Sequence, residues 1–481
     1  MKLKELIKGV KVNEIIGKND LEIESVQTDS NRACKNSLFI AIKGNDYNGA
    51  DFIRQVESAG ATAVVTEEKI NTTITQVIVN NCREAVSLIA DNFYQNVSKK
   101  MTLIGVTGTN GKTSTTHLIS QILNNLGEKC GVIGTLGVFY GNNYLEPTLT
   151  TPDPLILNKI LYDMYNDGYK TVVMEISAHA IYYKKINNLK FKVGIFTNCT
   201  RDHLDFFKDY AVYKEVKKSF FESDLCEYAV VNVDDEVGGE IVKNRKNTVT
   251  YGIDNPADVF AMDIVENEDN SNFILNLFDE VFFVKTKLLG KFNVYNLLSS
   301  ATACALTGQK IIKIGEKLKS LNGVKGRIEC VFDGDFKVFI DYAHTPDGLE
   351  NILSTLRKIT KNKLICVFGC GGNRDKGKRK EMGKISGKYA DFTVITSDNP
   401  RFEEPMDIIF DIEKGIISTT KQYVIVQDRY LAIEYALNMA LPNDVIVIAG
   451  KGSENYQEIL GIKRPYNDKD TVKEILRRKR N

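Results

Sequence analysis

Thr107-Gly108-Thr109-Asn110-Gly111-Lys112-Thr113 has the residue types needed to cradle a polyphosphate. Glycines at 108 and 111 let successive backbone N–H groups close around phosphate oxygens. Lys112 supplies an ammonium for β and γ phosphates, the Thr113 hydroxyl can bind Mg²⁺, and Ser114 opens the helix that follows. Val106 stands where the strict G-x-x-x-x-G-K-[ST] pattern has its first glycine, so the loop is a shorter variant. Two further clusters follow apolar runs: Glu175-Ile176-Ser177-Ala178-His179, and Thr197-Asn198-Cys199-Thr200-Arg201-Asp202-His203-Leu204-Asp205. Only four histidines occur in the chain, and two of them fall inside these clusters. Carboxylate and imidazole groups at strand ends are hard or borderline ligands suited to Mg²⁺ or Mn²⁺. His179 reads equally well as a structural histidine, and His344, beside Pro346, as a turn residue. Lys217, in Tyr213-Lys214-Glu215-Val216-Lys217-Lys218, reads from sequence as one charge on a solvated helix face.

These residues need strands and helices to hold them. Apolar runs at 101–107, 171–176, 191–198 and 228–233 alternate with helical stretches such as 114–126, the pattern of a mostly parallel sheet covered on both faces. A second round, with strands at 336–341, 363–369, 392–397 and 445–450, predicts another doubly wound domain. Before both, short runs at 37–42, 61–66 and 75–79 and a helix over 83–94 predict a small α/β unit. The fold class is therefore α/β in three domains, with boundaries expected at 1–98, 99–327 and 328–481; 481 residues suit about three domains. Lys plus Arg number 63 against 62 Asp plus Glu, which excludes bulk attraction to nucleic acid or acidic membranes. Charges interrupt the first residues, and no apolar run approaches the roughly 18 residues of a membrane span, so no membrane insertion and a cytoplasmic location are expected. Nine scattered cysteines without a C-x-x-C pair read as reduced, mostly buried thiols.

With these motifs in order, the chain resembles the Mur ligase superfamily. Its nucleotide loop has the form G-T-[NK]-G-K-[ST], and the clusters at 175–179 and 197–205 resemble E-V-S-S-H and T-N-x-x-x-D-H-L-D. Gly290 to Asn296, Gly326-Arg327-Ile328-Glu329 and Asp341-Tyr342-Ala343-His344-Thr345-Pro346 match G-x-F-N-x-x-N, G-R-x-E and D-Y-A-H-x-P. The resemblance implies an ATP-dependent amide ligase with a central ATPase domain and a C-terminal Rossmann-like domain. Lys112, Glu175, His203 and Lys217 would be catalytic; Gly108, Thr109, Asn110, Gly111, Lys112, Thr113, Ser114, Asn296, Arg327 and Asp341 would bind ATP. Thr113 and Glu175 would hold one Mg²⁺ and His203 a second, and Lys217 would be carbamylated by CO₂ and act as a bridging carboxylate. Arg327 and Asp341 would reach ATP from across a closing cleft, which excludes water from an acyl phosphate.

The flanking blocks resemble those of family members that extend UDP-N-acetylmuramoyl-L-alanyl-D-glutamate. That resemblance puts Thr28, Ser30, Asn45, Asp46 and Tyr47 at the uridine diphosphate, and Thr150, Thr151, Ser177 and Lys185 at the muramoyl peptide. Asn31 and Lys185 stand where the family has Arg, and Ser453 where it has His. Members with D-N-P-R add meso-diaminopimelate. The implied acceptor residues are Arg374, Asp398, Asn399, Pro400, Arg401, Gly450 and Glu454. The chemistry agrees, because the distal carboxylate of diaminopimelate, which lysine lacks, suits a two-pronged Arg contact. Rival readings are the same ligase using L-lysine or meso-lanthionine, a folylpolyglutamate-type ligase, and a P-loop NTPase switch that hydrolyses ATP without an acceptor. A monomer is expected.

Overall fold

The computed structural model describes residues 1–44, 47–420 and 422–480. It is a mixed α/β protein of three domains, and its residues gather into two compact units.

The first unit comprises Met1–Thr107, Gly127–Ile195 and Val216–Ala229. Its N-terminal sheet has the order Val12–Ile16, Thr75–Val79, Ala63–Thr66, Ser37–Ile40, Ser25–Gln27, and only the Val12–Ile16 strand is antiparallel to its neighbour. Three of these strands are buried at every residue, as expected where both faces are covered. Leu3, Leu6, Val86 and Ile89 cover one face; Ile53 and Val56 cover the other. The same unit holds the parallel strands Thr102–Thr107, Thr171–Glu175 and Cys130–Gly134. Antiparallel strands Gly137–Tyr140 and Asn143–Leu145 extend them.

The second unit comprises Gly108–Leu126, Phe196–Glu215 and Val230–Asn481. Helix Lys112–Asn125 lies against helix Lys291–Leu306, where the Ser300 hydroxyl donates to the Thr115 carbonyl at 3.4 Å. An antiparallel ribbon, Val259–Glu266, Ser271–Leu277 and Glu280–Thr286, pairs along its length, and its middle strand is buried at every second residue. The alternation-based reading anticipated a mostly parallel sheet and did not assign this ribbon, whose strands mix buried and exposed residues. The C-terminal sheet runs Glu329–Asp333, Lys337–Asp341, Val445–Ala449, Leu364–Phe368, Phe392–Ile395, Tyr423–Ile425. It is parallel except for its first strand. Two apolar layers cover its faces, one around Leu353, Ile409 and Ile412, the other around Ile433, Ala436 and Val472.

The expected C-terminal strand ends overshoot by one or two residues: 363–369 becomes Leu364–Phe368, and 392–397 becomes Phe392–Ile395. The chain leaves the ladder where the functional motifs begin. All nine cysteines are free thiols, and only Cys34 and Cys330 are exposed.

Candidate active site

The phosphate loop joins strand Thr102–Thr107 to helix Lys112–Asn125. Gly111 has φ +86°, and a Cβ there would lie 2.7 Å from Asn296 Oδ1, so the close approach of helix Lys291–Leu306 requires glycine. The T-N of the 197–205 motif buttresses the loop. Asn110 N–H donates to Asn198 Oδ1 (2.9 Å), Thr109 N–H to the Asn198 carbonyl (2.9 Å), and the Thr197 hydroxyl to the Asn110 carbonyl (2.6 Å). The Lys112 ammonium folds over the loop and donates to the carbonyls of Gly108 (3.0 Å) and Thr109 (2.8 Å). The Thr109 hydroxyl bonds the Thr200 carbonyl and the Tyr213 hydroxyl, so this side chain braces the loop. Asn296 Oδ1 accepts from Thr115 (3.3 Å), and Ser114 is buried in the first turn.

Arg327 and Asp347 meet this loop. Arg327 donates to Thr113 Oγ1 at 3.1 Å while its guanidinium lies 4.3 Å from the Tyr342 ring centroid. Asn110 Nδ2 donates to Asp347 Oδ2 at 2.7 Å. Asp341 accepts from the backbone of Ile328 (2.6 Å) and Ala343 (2.7 Å); burial raises its carboxyl above the usual range, against the pull of Arg327. Ile328 has φ +44°, a costly conformation for a β-branched residue, which the Asp341 hydrogen bond holds.

Glu175 ends its strand fully buried, with Oε1 accepting from Thr135 N–H (2.8 Å) and Oε2 from the Thr135 hydroxyl (3.1 Å). Thr150 bonds the same hydroxyl at 3.1 Å. Thr151 donates to the Glu175 carbonyl (2.8 Å) and accepts from Ser177 N–H (3.0 Å). Lys185 pairs with Asp153 at 2.7 Å, two residues beyond Thr151. The expected peptide-contacting residues Thr150, Thr151, Ser177 and Lys185 are therefore linked in one chain segment set. Thr135 bonds into the same set and was not anticipated; its signal was a polar residue directly after the C-terminal end of a buried strand. Thr28 is exposed and Ser30 opens a short turn capped by Asp29. Arg32 lies 3.6 Å from Asp29, so a cation follows the position where Asn31 replaces the family's Arg. Tyr47 is exposed; Asn45 and Asp46 lie outside the described residues.

His203 adopts φ +55°, with Nε2 3.3 Å from Asp202 Oδ2. His344 Nε2 is 3.9 Å from the same oxygen, and its Nδ1 is 2.9 Å from the Tyr342 carbonyl, which fixes Nδ1 as the protonated nitrogen of the neutral ring. Burial works to raise the Asp202 carboxyl, but His203, His344 and Lys378 hold it far below the usual carboxylate range. Burial, helped by Lys378, lowers His344 to about 4. The solvated-face reading of Lys217 fails: it is 1% exposed, on the buried face of helix Tyr210–Glu222 with Tyr213, Phe220 and Phe221. Lys214 instead turns to Glu240 at 2.9 Å. Among the described residues, no three His, Cys, Asp or Glu side chains converge in a metal-binding group.

The acceptor motifs gather at the C-terminal ends of the parallel strands, where doubly wound folds bind ligands. Arg401 has φ +53°; its Nε donates to Glu458 (3.1 Å) and its Nη1 to the Gly372 carbonyl (2.8 Å). Asn399 Nδ2 donates to Glu454 Oε2 at 3.0 Å. The fully buried Lys451, missed in the sequence, donates to both Asn399 Oδ1 (3.0 Å) and Glu454 Oε2 (2.9 Å). Gly450 has φ +113°, and a Cβ there would lie 2.6 Å from Asp398 Oδ2. The Pro400 carbonyl is so close to Gly372 that a Cβ there would lie 1.9 Å from it. Arg374 lies 3.9 Å from Asp205, and beside it Arg201 forks onto Asp375 at 3.0 and 3.3 Å. The 201–205 and 374–378 loops are thus joined by reciprocal charges.

A phosphate loop braced by a T-N strand end, a buried Glu at a neighbouring strand end and a Rossmann-like acceptor domain define an ATP-dependent ligase of the amide-forming kind. The chain belongs to the Mur ligase family. Family models match three stretches: the Mur ligase family catalytic domain at residues 22–97, the middle domain at 106–304, and the glutamate ligase domain at 326–452. It is 42% identical to the UDP-N-acetylmuramoyl-L-alanyl-D-glutamate--2,6-diaminopimelate ligase of Alkaliphilus oremlandii, covering 99% of both chains. To the enzyme of that name in Clostridioides difficile it is 41% identical, again over 99% of each. A solved structure of a ligase of that name is 29% identical, with TM-score 0.72 over 100% of this chain and 99% of that one. The MurF ligase of Thermotoga maritima, solved with ADP, shares the fold at 20% identity and TM-score 0.65, over 96% of this chain and 100% of the other.

Proposed function

We propose that this chain joins meso-diaminopimelate to the D-glutamyl carboxylate of UDP-N-acetylmuramoyl-L-alanyl-D-glutamate, a cytoplasmic step in making peptidoglycan precursor. ATP phosphorylates the γ-carboxylate, the amine at the L centre attacks the acyl phosphate, and ADP, phosphate and the UDP-muramoyl tripeptide leave. The observation that carries this reading is the Asp398-Asn399-Pro400-Arg401 turn facing Lys451 and Glu454, in a chain similar end to end to ligases named for this reaction. Arg401, held from two sides, presents a planar cation for the distal carboxylate, and Glu454 a carboxylate for the distal ammonium. The domain boundaries are proposed at 98 and 327.

The oxygen donors fit Mg²⁺, which takes one or two protein oxygens and completes its shell with phosphates and water. By the family resemblance Glu175, Thr113 and His203 would be ligands of such ions, which would offset the repulsion between the phosphates and the incoming carboxylate. This chain's own part is to hold the phosphates with the loop N–H groups and Lys112, and to fix Glu175 through Thr135. Lys217 is read as a carbamate. Burial keeps its amine out of water, and the uncharged amine is the form that attacks CO₂. Replacing Lys217 by Ala should lower turnover about tenfold or more, as loss of a group supporting a metal-bound reaction does, with partial rescue by short-chain carboxylic acids; undiminished turnover at limiting bicarbonate would remove the carbamate. The reaction itself is tested by following phosphate release with the muramoyl dipeptide and each candidate amino acid.

A further inference from the structure

Beneath the acceptor turn lies Arg429, the first residue of helix Arg429–Met439 and among the largest fully buried side chains of the protein. Its Nε and Nη2 grip Asp468 Oδ1 and Oδ2, both at 2.8 Å, and Asp468 is itself fully buried. Nη2 also donates to the Ala449 carbonyl (3.0 Å), and Nη1 to the Ser397 carbonyl (3.4 Å). Those carbonyls belong to the residues directly before Gly450 and Asp398. Nη1 lies 3.9 Å from Asp398 Oδ2, the oxygen that Gly450 must stay bare to admit. A guanidinium with five donors in one plane can span two strand ends and a carboxylate at once; an ammonium cannot.

We propose that Arg429 is a positioning residue of the acceptor site, setting the spacing of the two strand ends and the direction of the Asp398 carboxylate toward the amino-acid substrate. The proposal rests on the reading of this turn as the diaminopimelate site. Burial works to raise the Asp398 carboxyl, yet Lys451 and Arg429, helped by Asn399 N–H, keep it below the usual range and so ionised for a substrate amine. Nothing else in the first turn of helix Arg429–Met439 calls for a buried cation, because Asp428 caps that turn through Leu431 N–H at 2.9 Å.

The test measures KM separately for diaminopimelate, ATP and the muramoyl dipeptide in the full-length enzyme. Three variants are compared: Arg429→Lys, the paired Arg429→Met with Asp468→Leu, and Arg401→Leu as a direct-contact control. The paired change removes both buried charges together, so neither is stranded. Both Arg429 variants should raise KM for diaminopimelate about tenfold to a hundredfold, the range for losing a charged hydrogen bond, while KM for ATP and for the dipeptide stays within about twofold. If the paired variant does not fold, Arg429→Lys alone decides. Unchanged KM for diaminopimelate in the folded Arg429 variants, with a raised value in Arg401→Leu, overturns the positioning role. An unchanged value in Arg401→Leu as well overturns the acceptor site itself.

Discussion

The phosphate loop and the Asp398–Arg401 turn both follow the ends of parallel strands, yet they are built from different material. The loop offers backbone: Asn198 takes the N–H groups of Thr109 and Asn110, which leaves those at the N-terminus of helix Lys112–Asn125 for a phosphate, and its side chains mostly brace it from behind, Thr109 on Thr200 and Asn110 on Asp347. The turn offers side chains, and these are already paired with one another, Arg401 with Glu458 and Glu454 with Lys451 and Asn399. A backbone site tolerates many nucleotides and needs only glycine and lysine. A site of paired charges selects, because a ligand must replace one internal partner at each end, and a ligand lacking an end leaves the exchange incomplete.

The largest effect expected on this difference is at Lys112, the main cation the loop supplies. Lys112→Ala should reduce turnover about a hundredfold to a thousandfold, the range for deleting one preorganised charge-stabilising donor, with KM for diaminopimelate little changed; stopped assays of phosphate release measure it. On the other side, Arg401→Leu should raise KM for diaminopimelate about tenfold to a hundredfold and bring it level with lysine. If Arg401→Leu instead lowered turnover with every amino acid equally, the turn would be a scaffold and the contrast would fall. Gly450→Ala comes next. A side chain at φ +113°, placed against Asp398 Oδ2, should cost roughly 1–3 kcal/mol, visible as a lower urea midpoint together with weaker acceptor binding.

The smallest effect concerns the joint between the two regions. His344 titrates at about 4 in the folded protein against 6.5 for an ordinary histidine, through burial and Lys378. The unfolded chain therefore binds more protons in between, and stability falls as pH drops from about 6.5 to about 4. His344→Gln should flatten that part of the urea midpoint–pH curve. The side chain keeps 38% of its surface exposed, so the effect should be modest.

The contrast also explains what was legible in the sequence. The loop could be read because its geometry demands glycine and lysine at fixed spacing within a few residues. The acceptor turn could be read only as a motif. Its supports, Lys451, Glu458, Arg429 and Asp468, come from segments up to 70 residues away that only the parallel topology of the sheet brings together. Asp202 was quoted within its motif, but its role as the carboxylate shared by His203 and His344 depends on a fold contact spanning more than a hundred positions. Lys217 was misread for a different reason. The charges at 214, 215, 217 and 218 masked the stripe of Tyr213, Lys217, Phe220 and Phe221, whose i, i+4, i+7, i+8 spacing marks a buried helix face.

The central claim is most directly tested by ATP turnover in the presence of UDP-N-acetylmuramoyl-L-alanyl-D-glutamate with meso-diaminopimelate, L-lysine or meso-lanthionine as acceptor. The account predicts phosphate release that requires the dipeptide and is fastest with diaminopimelate, slower with lanthionine and marginal with lysine. Equal or faster turnover with lysine, or ATP hydrolysis that ignores the dipeptide, would contradict it.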